Sequence, residues 1–381
     1  MLHHIISPHE RQFVCKVDYE NPDLMHPINK SIPRIVILST EGVRGVPLYK
    51  EMREGNEKKV KVYEMDPKEF LSGKYLFLVQ YLQWRQDCTS PLGILIRKLP
   101  QQHTVEASME ILFAEYGIRK SFDGTCKGEV QSRFPSSWSI PDQERKRRSN
   151  KVIDGAFTID PENSKDLDDA LSLDSSSDSL YRVGIHIADV SYFVEAGSHL
   201  DKEAFFRCVS YYPGHDYQSV PMLPRELSEN HCSLLPGKDR LCLSVFVDMS
   251  GEGEVVGEPQ IERTVVRSSC QLTYSDAQKI IDGQQNDLPK IPEKVESDIR
   301  TLNVLAQSRR KLRLREASFD HWSNSDETED FEAHELVEEM MILVNEKIGE
   351  FLSSRDPQLA PLRIQLPPKD HKLKEWVKQN G

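Results

Sequence analysis

Four aspartates, Asp160, Asp166, Asp168 and Asp169, fall within ten positions of the chain. The apolar run Phe157-Thr158-Ile159 leads into Asp160, and Pro161, Glu162, Asn163 and Ser164 have the composition of a turn. Leu167, Ala170 and Leu171 can then anchor the returning chain in a core. Carboxylates gathered this way repel and raise one another's pKa unless a cation sits among them. Mg2+ takes one or two carboxylates together with water and phosphate oxygens. A pair of such ions about 3.5–4 Å apart stabilises both the attacking and the leaving oxygen of an in-line displacement. The chemistry such a site suits is phosphodiester hydrolysis. A solvated acidic turn is the plain alternative, but it has no need of the apolar frame. A Ca2+ loop fits less well, because Lys165 and Leu171 stand where its Gly and Glu belong.

The elements that must position these acids divide the chain in three, and the whole reads as α+β. Residues 1–104 form short strands, with Phe13, Cys15, Val17 and Tyr19 alternating with polar residues. Further strand-like runs cover 34–38, 59–63, 75–84 and 92–99, which suggests a small OB-type β-barrel. Residues 105–150 hold a helix and a linker. The helix would bury Val105, Met109, Leu112, Phe113 and Tyr116, and the linker has Pro135, Pro141 and the basic run Arg145-Lys146-Arg147-Arg148. That run is a solvated face or a phosphate contact. Residues 151–381 are mixed α/β, with strands at 157–159, 181–187 and 241–248 and helices at 295–317 and 333–352. In the last helix Leu336, Val337, Met340, Met341, Val344, Ile348 and Phe351 form one apolar stripe, read as core. The Ser-rich patch 174–179 reads as a hairpin loop.

Composition excludes several classes. The 381 residues are 38% hydrophobic and 29% charged, as in a globular protein. No apolar stretch approaches the roughly 20 residues of a spanning helix, and the N-terminus lacks signal-peptide character, so no membrane partner is expected. Seven scattered cysteines without a Cys-x-x-Cys pair imply neither a disulfide framework nor a zinc site. A reducing compartment follows: the cytoplasm, with the nucleus as an alternative. A net charge of −12 counts against bulk electrostatic binding of nucleic acid without excluding a local basic channel. The distribution is uneven. Arg309, Arg310, Lys311, Arg313 and Arg315 cluster just before residues 320–335, which hold seven acids and no Lys or Arg.

The acidic segment resembles the signature of the RNase II or RNB family, where a strand-end Asp is followed six, eight and nine residues later by three more. Asp160, Asp166, Asp168 and Asp169 match it position by position. The likeness continues through Val183-Gly184-Ile185-His186-Ile187-Ala188-Asp189, Tyr211-Tyr212-Pro213-Gly214 and Pro221-Met222-Leu223-Pro224-Arg225-Glu226-Leu227-Ser228. It ends with Leu272-Thr273-Tyr274-Ser275-Asp276-Ala277 and His334-Glu335-Leu336-Val337-Glu338-Glu339-Met340-Met341. The front barrel is similar to the family's second cold-shock domain. The resemblance implies an OB-type barrel before an RNB catalytic domain that is incomplete at its C-terminus. The family's Ser-Pro-Ile-Arg-Arg-Tyr-like stretch, with a transition-state arginine, and its S1 domain do not occur in these 381 residues.

The same resemblance assigns roles. Asp160 and Asp169 would ligate Mg2+, with Mn2+ as a substitute. Asp166 would support that cluster in both metal binding and catalysis, and Asp168 would be the acid whose loss stops cleavage, placing a second metal or the attacking water. Tyr211, or its neighbour Tyr212, would stack on the terminal base, Phe319 would be a second aromatic clamp, and Arg225 would contact phosphate or pair with Glu226 or Glu229. Asp189 would support the acids or cap a turn, the 309–315 cluster would line an RNA path, and His186 and His231 read as structural. The implied activity is processive 3'-to-5' hydrolysis of single-stranded RNA to nucleoside 5'-monophosphates, within a larger RNA-decay or helicase assembly. The alternatives are a weak or inactive RNB-type RNA-binding module and an interaction platform inside a larger regulatory protein.

Overall fold

Five strands close the barrel expected at the front of the chain. The computed structural model describes residues 11–37, 45–54, 57–148, 152–177, 180–214, 217–284, 291–314, 331–361, 364 and 366–380. Contacts group the chain into two units, Met1–Asp123 with Glu203–Met222, and Gly124–Lys202 with Leu223–Gly381.

In the first unit the strands are β1 (Gln12–Val17), β2 (Leu24–Pro27), β3 (Ile35–Ile37), β4 (Val46–Glu54), β5 (Glu57–Met65), β6 (Tyr75–Gln83) and β7 (Leu92–Pro100). The helices are α1 (Pro67–Phe70) and α2 (Val105–Glu115). The barrel order is β1-β2-β3-β7-β6, with β4 and β5 as a separate hairpin. Only the β3–β7 pairing is parallel among these barrel strands, as an OB topology requires. Cys15, Val17, Met25, Ile35, Phe77 and Val79 fill its interior. Helix α2 forms where expected but turns a different face inward. Ala107, Phe113 and Ala114 are buried, whereas Val105, Leu112 and Tyr116 are exposed. Ala114 and Ile111 meet the barrel's outer surface at Val14, Leu76, Leu78 and Leu99. Glu115 Oε2 accepts a hydrogen bond from Val14 N at 2.7 Å, which favours this close approach by small side chains over the bulkier stripe.

The second unit contains a barrel that strand patterns alone did not reveal. It is built from β8 (Val152–Asp160), β9 (Asp169–Ser177), β10 (Leu180–Ala188), β11 (Asp239–Ser250) and β12 (Val255–Thr273). Its order is β10-β11-β12-β8-β9, antiparallel except where β12 meets β8. Strand β9 runs through Ser177, so most of the Ser-rich patch read as a loop is strand. The helices of this unit are α3 (Gly124–Arg133), α4 (Asp142–Arg147), α5 (Val190–Phe193), α7 (Tyr274–Ile281), α8 (Glu293–Leu314), α9 (Phe331–Arg355) and α10 (Asp370–Asn380), and α6 (His199–Arg207) begins in it and ends in the first. The core joins one barrel face (Phe157, Leu171, Ile185, Val245) to α7–α9 through Ile280, Leu302, Leu336 and Met340. Each such side chain removed from water contributes roughly 1.5–3 kcal/mol. The α9 stripe is core as read, save that Phe351 is exposed and Leu343 joins it. No helix among the described residues is long and apolar enough to cross a membrane.

Candidate active site

Asp160 is the last residue of β8 and Asp169 the first of β9, and the two strands meet at Phe157 and Leu171. Their neighbours fix both ends. Asp160 stands opposite Thr273 of β12, and Asp169 opposite Ile187 of β10. Between them the chain turns through Asn163, which adopts a left-handed φ of 64°. Leu167 is fully buried and pins the turn, as its place between two acids suggested. Gln271 Nε2 donates to Ser164 O at 3.0 Å, and Ala188 N donates to Asp168 O at 2.9 Å. Asp166 and Asp168 are thereby returned to the strand ends.

The four carboxylates interact through charge. Burial pushes Asp160 up to about 6, with Asp169, Asp166 and Asp168 adding to the rise. Thr158 offsets this in part from nearby, although its Oγ1 makes no hydrogen bond of full geometry. Asp168 also rises to about 6, through desolvation first and then Asp166 and Asp169. It is nonetheless the most solvent-accessible of the four, so water reaches its carboxylate and offsets part of that desolvation. Burial raises Asp169 as well. The buried Oδ2 of Asp160 has no hydrogen-bond partner. Such an oxygen, on a carboxylate whose ionisation three other acids disfavour, fits a hard divalent cation, which prefers oxygen ligands and neutralises their repulsion. Tyr274, at the start of α7, is a neighbour of the acids that its own sequence surroundings do not mark. Burial raises its phenol, and the charges of Asp169 and Asp160 add to the shift. Its ring stacks on His334 at 3.7 Å between centroids.

Other candidate residues have different surroundings. Asp189 does not brace the acids. It holds Arg148 Nη2 at 2.5 Å and accepts from Ser191 Oγ at 2.6 Å, and these bonds, with the Arg148 charge, outweigh the upward push of burial and leave its carboxyl lowered. The basic run before β8 is therefore no free phosphate site at its end, since Arg148 is wholly buried and also pairs with Glu144. Arg225 pairs with Glu229, one helical turn on. Three members of the 309–315 cluster face α9: Arg309 meets Glu346, Arg310 meets Glu335, and Arg313 meets Glu339. Tyr211 belongs to the first unit, where its backbone bridges Val220 in both directions at 2.9 Å, and Tyr212 beside it is exposed. Phe319 and Arg315 lie outside the described residues. His186 is buried between Ser172 and Ser244, and burial lowers it to about 3. His231 bonds Phe134 O within an aromatic cluster that includes Trp138 and Phe193.

The family profile described as RNB domain matches residues 151–380. The chain belongs to the RNB family. It is 32% identical over 382 aligned positions to the human 3'-5' exoribonuclease HELZ2, covering 98% of this chain and 13% of that protein. It is 33% identical over 324 positions to DIS3-like exonuclease 2 of Schizosaccharomyces pombe, covering 79% of this chain and 34% of that protein. The chain thus spans well under half the length of either relative. Among solved structures, yeast Ssd1, described as a pseudonuclease, superposes with a TM-score of 0.72 at 17% identity. The superposition covers 98% of this chain and 44% of that one, and it is a likeness of fold alone.

Proposed function

We propose that this chain carries the acidic centre of a 3'-to-5' exoribonuclease that hydrolyses single-stranded RNA processively to nucleoside 5'-monophosphates. The observation that carries this reading is the buried, unpartnered Oδ2 of Asp160 together with the charge coupling of its carboxylate to Asp166, Asp168 and Asp169. The relatives named exonucleases accord with it. Asp160 and Asp169 would hold Mg2+, or Mn2+ in its place, with Asp166 supporting them. The ion, when bound, would supply charge to phosphate oxygens and acidity to water. Asp168, the most accessible acid, is assigned the attacking water. Tyr211 and Phe319 are assigned to base stacking, which is sequence-tolerant and contributes roughly 1–3 kcal/mol per base. Arg225 would reach a phosphate by exchanging it for Glu229. Seven free cysteines accord with a reducing location, cytoplasmic or nuclear. The place assigned to the chain is within a larger RNA-decay or helicase assembly.

The test incubates 5'-labelled single-stranded RNA with the chain and Mg2+, beside Asp168→Asn. Stepwise shortening by the unmodified chain and none by the variant is expected; equal behaviour of the two removes Asp168 from its role. A second reading, RNA binding without turnover, is favoured by one observation: a pseudonuclease has this fold, so the fold does not by itself demand catalysis. Binding of the RNA without any shortening, in both Mg2+ and Mn2+, would select it.

A further inference from the structure

The turn that carries Asp166 and Asp168 is held from outside. Its own backbone contributes the bond from Ser164 N to Pro161 O at 3.1 Å, and beyond Ser164 it is fastened to other elements. At the centre of that fastening lies Ser233, fully buried just after the π-helical turn Leu227–His231. Its Oγ donates to Lys165 O at 2.7 Å and accepts from Leu167 N at 3.1 Å. One hydroxyl therefore grips the backbone on both sides of Asp166. Leu234 N adds a bond to Leu167 O at 2.9 Å. Ser233 is in turn braced by Arg240, whose Nε donates to Ser233 O at 2.7 Å while its Nη1 donates to Asp239 O at 3.1 Å. Arg240 stands at the start of β11, so the brace ties the turn to the barrel wall.

A serine hydroxyl can do this because it offers one donor and two acceptor lone pairs on a single atom. Alanine offers neither, and would leave the buried Leu167 N–H and Lys165 O without that partner. The peptides around Asp166 would then be free to rotate, and their rotation redirects both Asp166 and, one residue past Leu167, Asp168. We propose that Ser233 is a positioning residue of the acidic centre, its hydroxyl setting the backbone from Lys165 to Leu167 and so the aim of Asp166 and Asp168. It touches neither substrate nor metal, and the proposal rests on the metal-binding reading of the four acids.

Mn2+ binding to the 381-residue chain, followed by calorimetry, is the direct probe. Ser233→Ala is expected to weaken Mn2+ by about 10–100-fold, the usual consequence of removing an outer-shell partner. The lost bonds should lower the unfolding temperature in EDTA as an unmade buried hydrogen bond does, and in RNA turnover kcat should fall while KM holds. A purely structural role would lower the unfolding temperature in the same way but leave Mn2+ affinity and the KM-to-kcat relation alone. Hydrogen exchange on the unmodified chain tests the geometry without any variant: the Leu167 amide should be protected like the β9–β10 ladder amides. Unchanged Mn2+ affinity in Ser233→Ala, or a Leu167 amide exchanging like an exposed loop, overturns the proposal and leaves the metal site standing. No Mn2+ binding by the unmodified chain overturns the metal-site reading, and this proposal with it.

Discussion

Asp160 sits only 8% exposed with one carboxylate oxygen lacking any hydrogen bond, and burial first, then the charges of three other acids, raises it to about 6. An acid whose folded pKa lies above its unfolded value of 3.8 destabilises the fold fully above about pH 6. That destabilisation fades as pH falls from 6 toward 3.8. A rise of this size sets a ceiling of about 3 kcal/mol, shared among the interacting acids. Asp160→Asn should therefore stabilise the metal-free chain by roughly 1–3 kcal/mol at pH 7. Urea unfolding in EDTA at pH 5 and pH 7 would show it, with the gain smaller at pH 5; a destabilised variant would contradict the electrostatic account. The acids were legible in sequence because four of them lie within ten residues, framed by Phe157, Ile159, Leu167 and Leu171. The pairing that takes Asp189 away from them was not, because its partner, Arg148, lies 41 residues earlier and no local pattern marks the pair. The packing of Tyr274 on His334 was hidden for the same reason, since those rings come from α7 and α9.

Individual elements are tied to the second barrel by a few buried polar contacts, and two can be tested. Arg148, at the end of α4, reaches Cys242 O of β11 at 3.1 Å, Thr264 O of β12 at 3.3 Å and Asp189 beyond β10. Breaking such a buried pair strands its carboxylate, so Arg148→Ala should destabilise by about 3–5 kcal/mol in denaturant titration. A change near zero would mean that α4 is not fastened there. Gly184 of β10 is needed for close approach: a Cβ there would lie 2.4 Å from Ser172 Oγ and 2.9 Å from His186 Nε2. Gly184→Ala should cost roughly 1–3 kcal/mol and disturb the Ser172–His186–Ser244 chain, whose imidazole signals are readable by NMR. Unshifted His186 resonances would refute the contact. Sequence periodicity located α2, α8 and α9 well, because helices of this length repeat their pattern. It missed the face of α2, which small Ala107 and Ala114 bring closer to the barrel than bulky Leu112 and Tyr116 would allow. It also missed the 19-residue β12, whose burial pattern alternates only in part.

For the molecule as a whole, a net charge of −12 says little until pairing is known. The basic clusters that suggested a path for RNA are largely internal ion pairs. Arg309, Arg310 and Arg313 meet Glu346, Glu335 and Glu339, Arg145 and Arg267 share Asp239, and Arg225 meets Glu229. Apart from Arg225–Glu229, which the sequence already offered, no window of sequence shows these pairs, because the partners stand on different elements. A surface so paired releases few counterions on meeting a polyphosphate. For single strands the slope of log K against log salt is about −0.7 per phosphate contacted. RNA affinity should accordingly fall with a shallow slope, near −2 to −3, and depend strongly on divalent metal, which alone relieves the repulsion between the four acids and the incoming phosphates. Fluorescence anisotropy of labelled single-stranded RNA with the Asp168→Asn chain, titrated from about 50 to 200 mM salt in Mg2+ and again in EDTA, measures both. Binding at least about tenfold weaker in EDTA is expected. Indifference to chelation, or a slope as steep as that of a protein gripping six or more phosphates, would place the RNA on a basic surface instead of at the acidic centre.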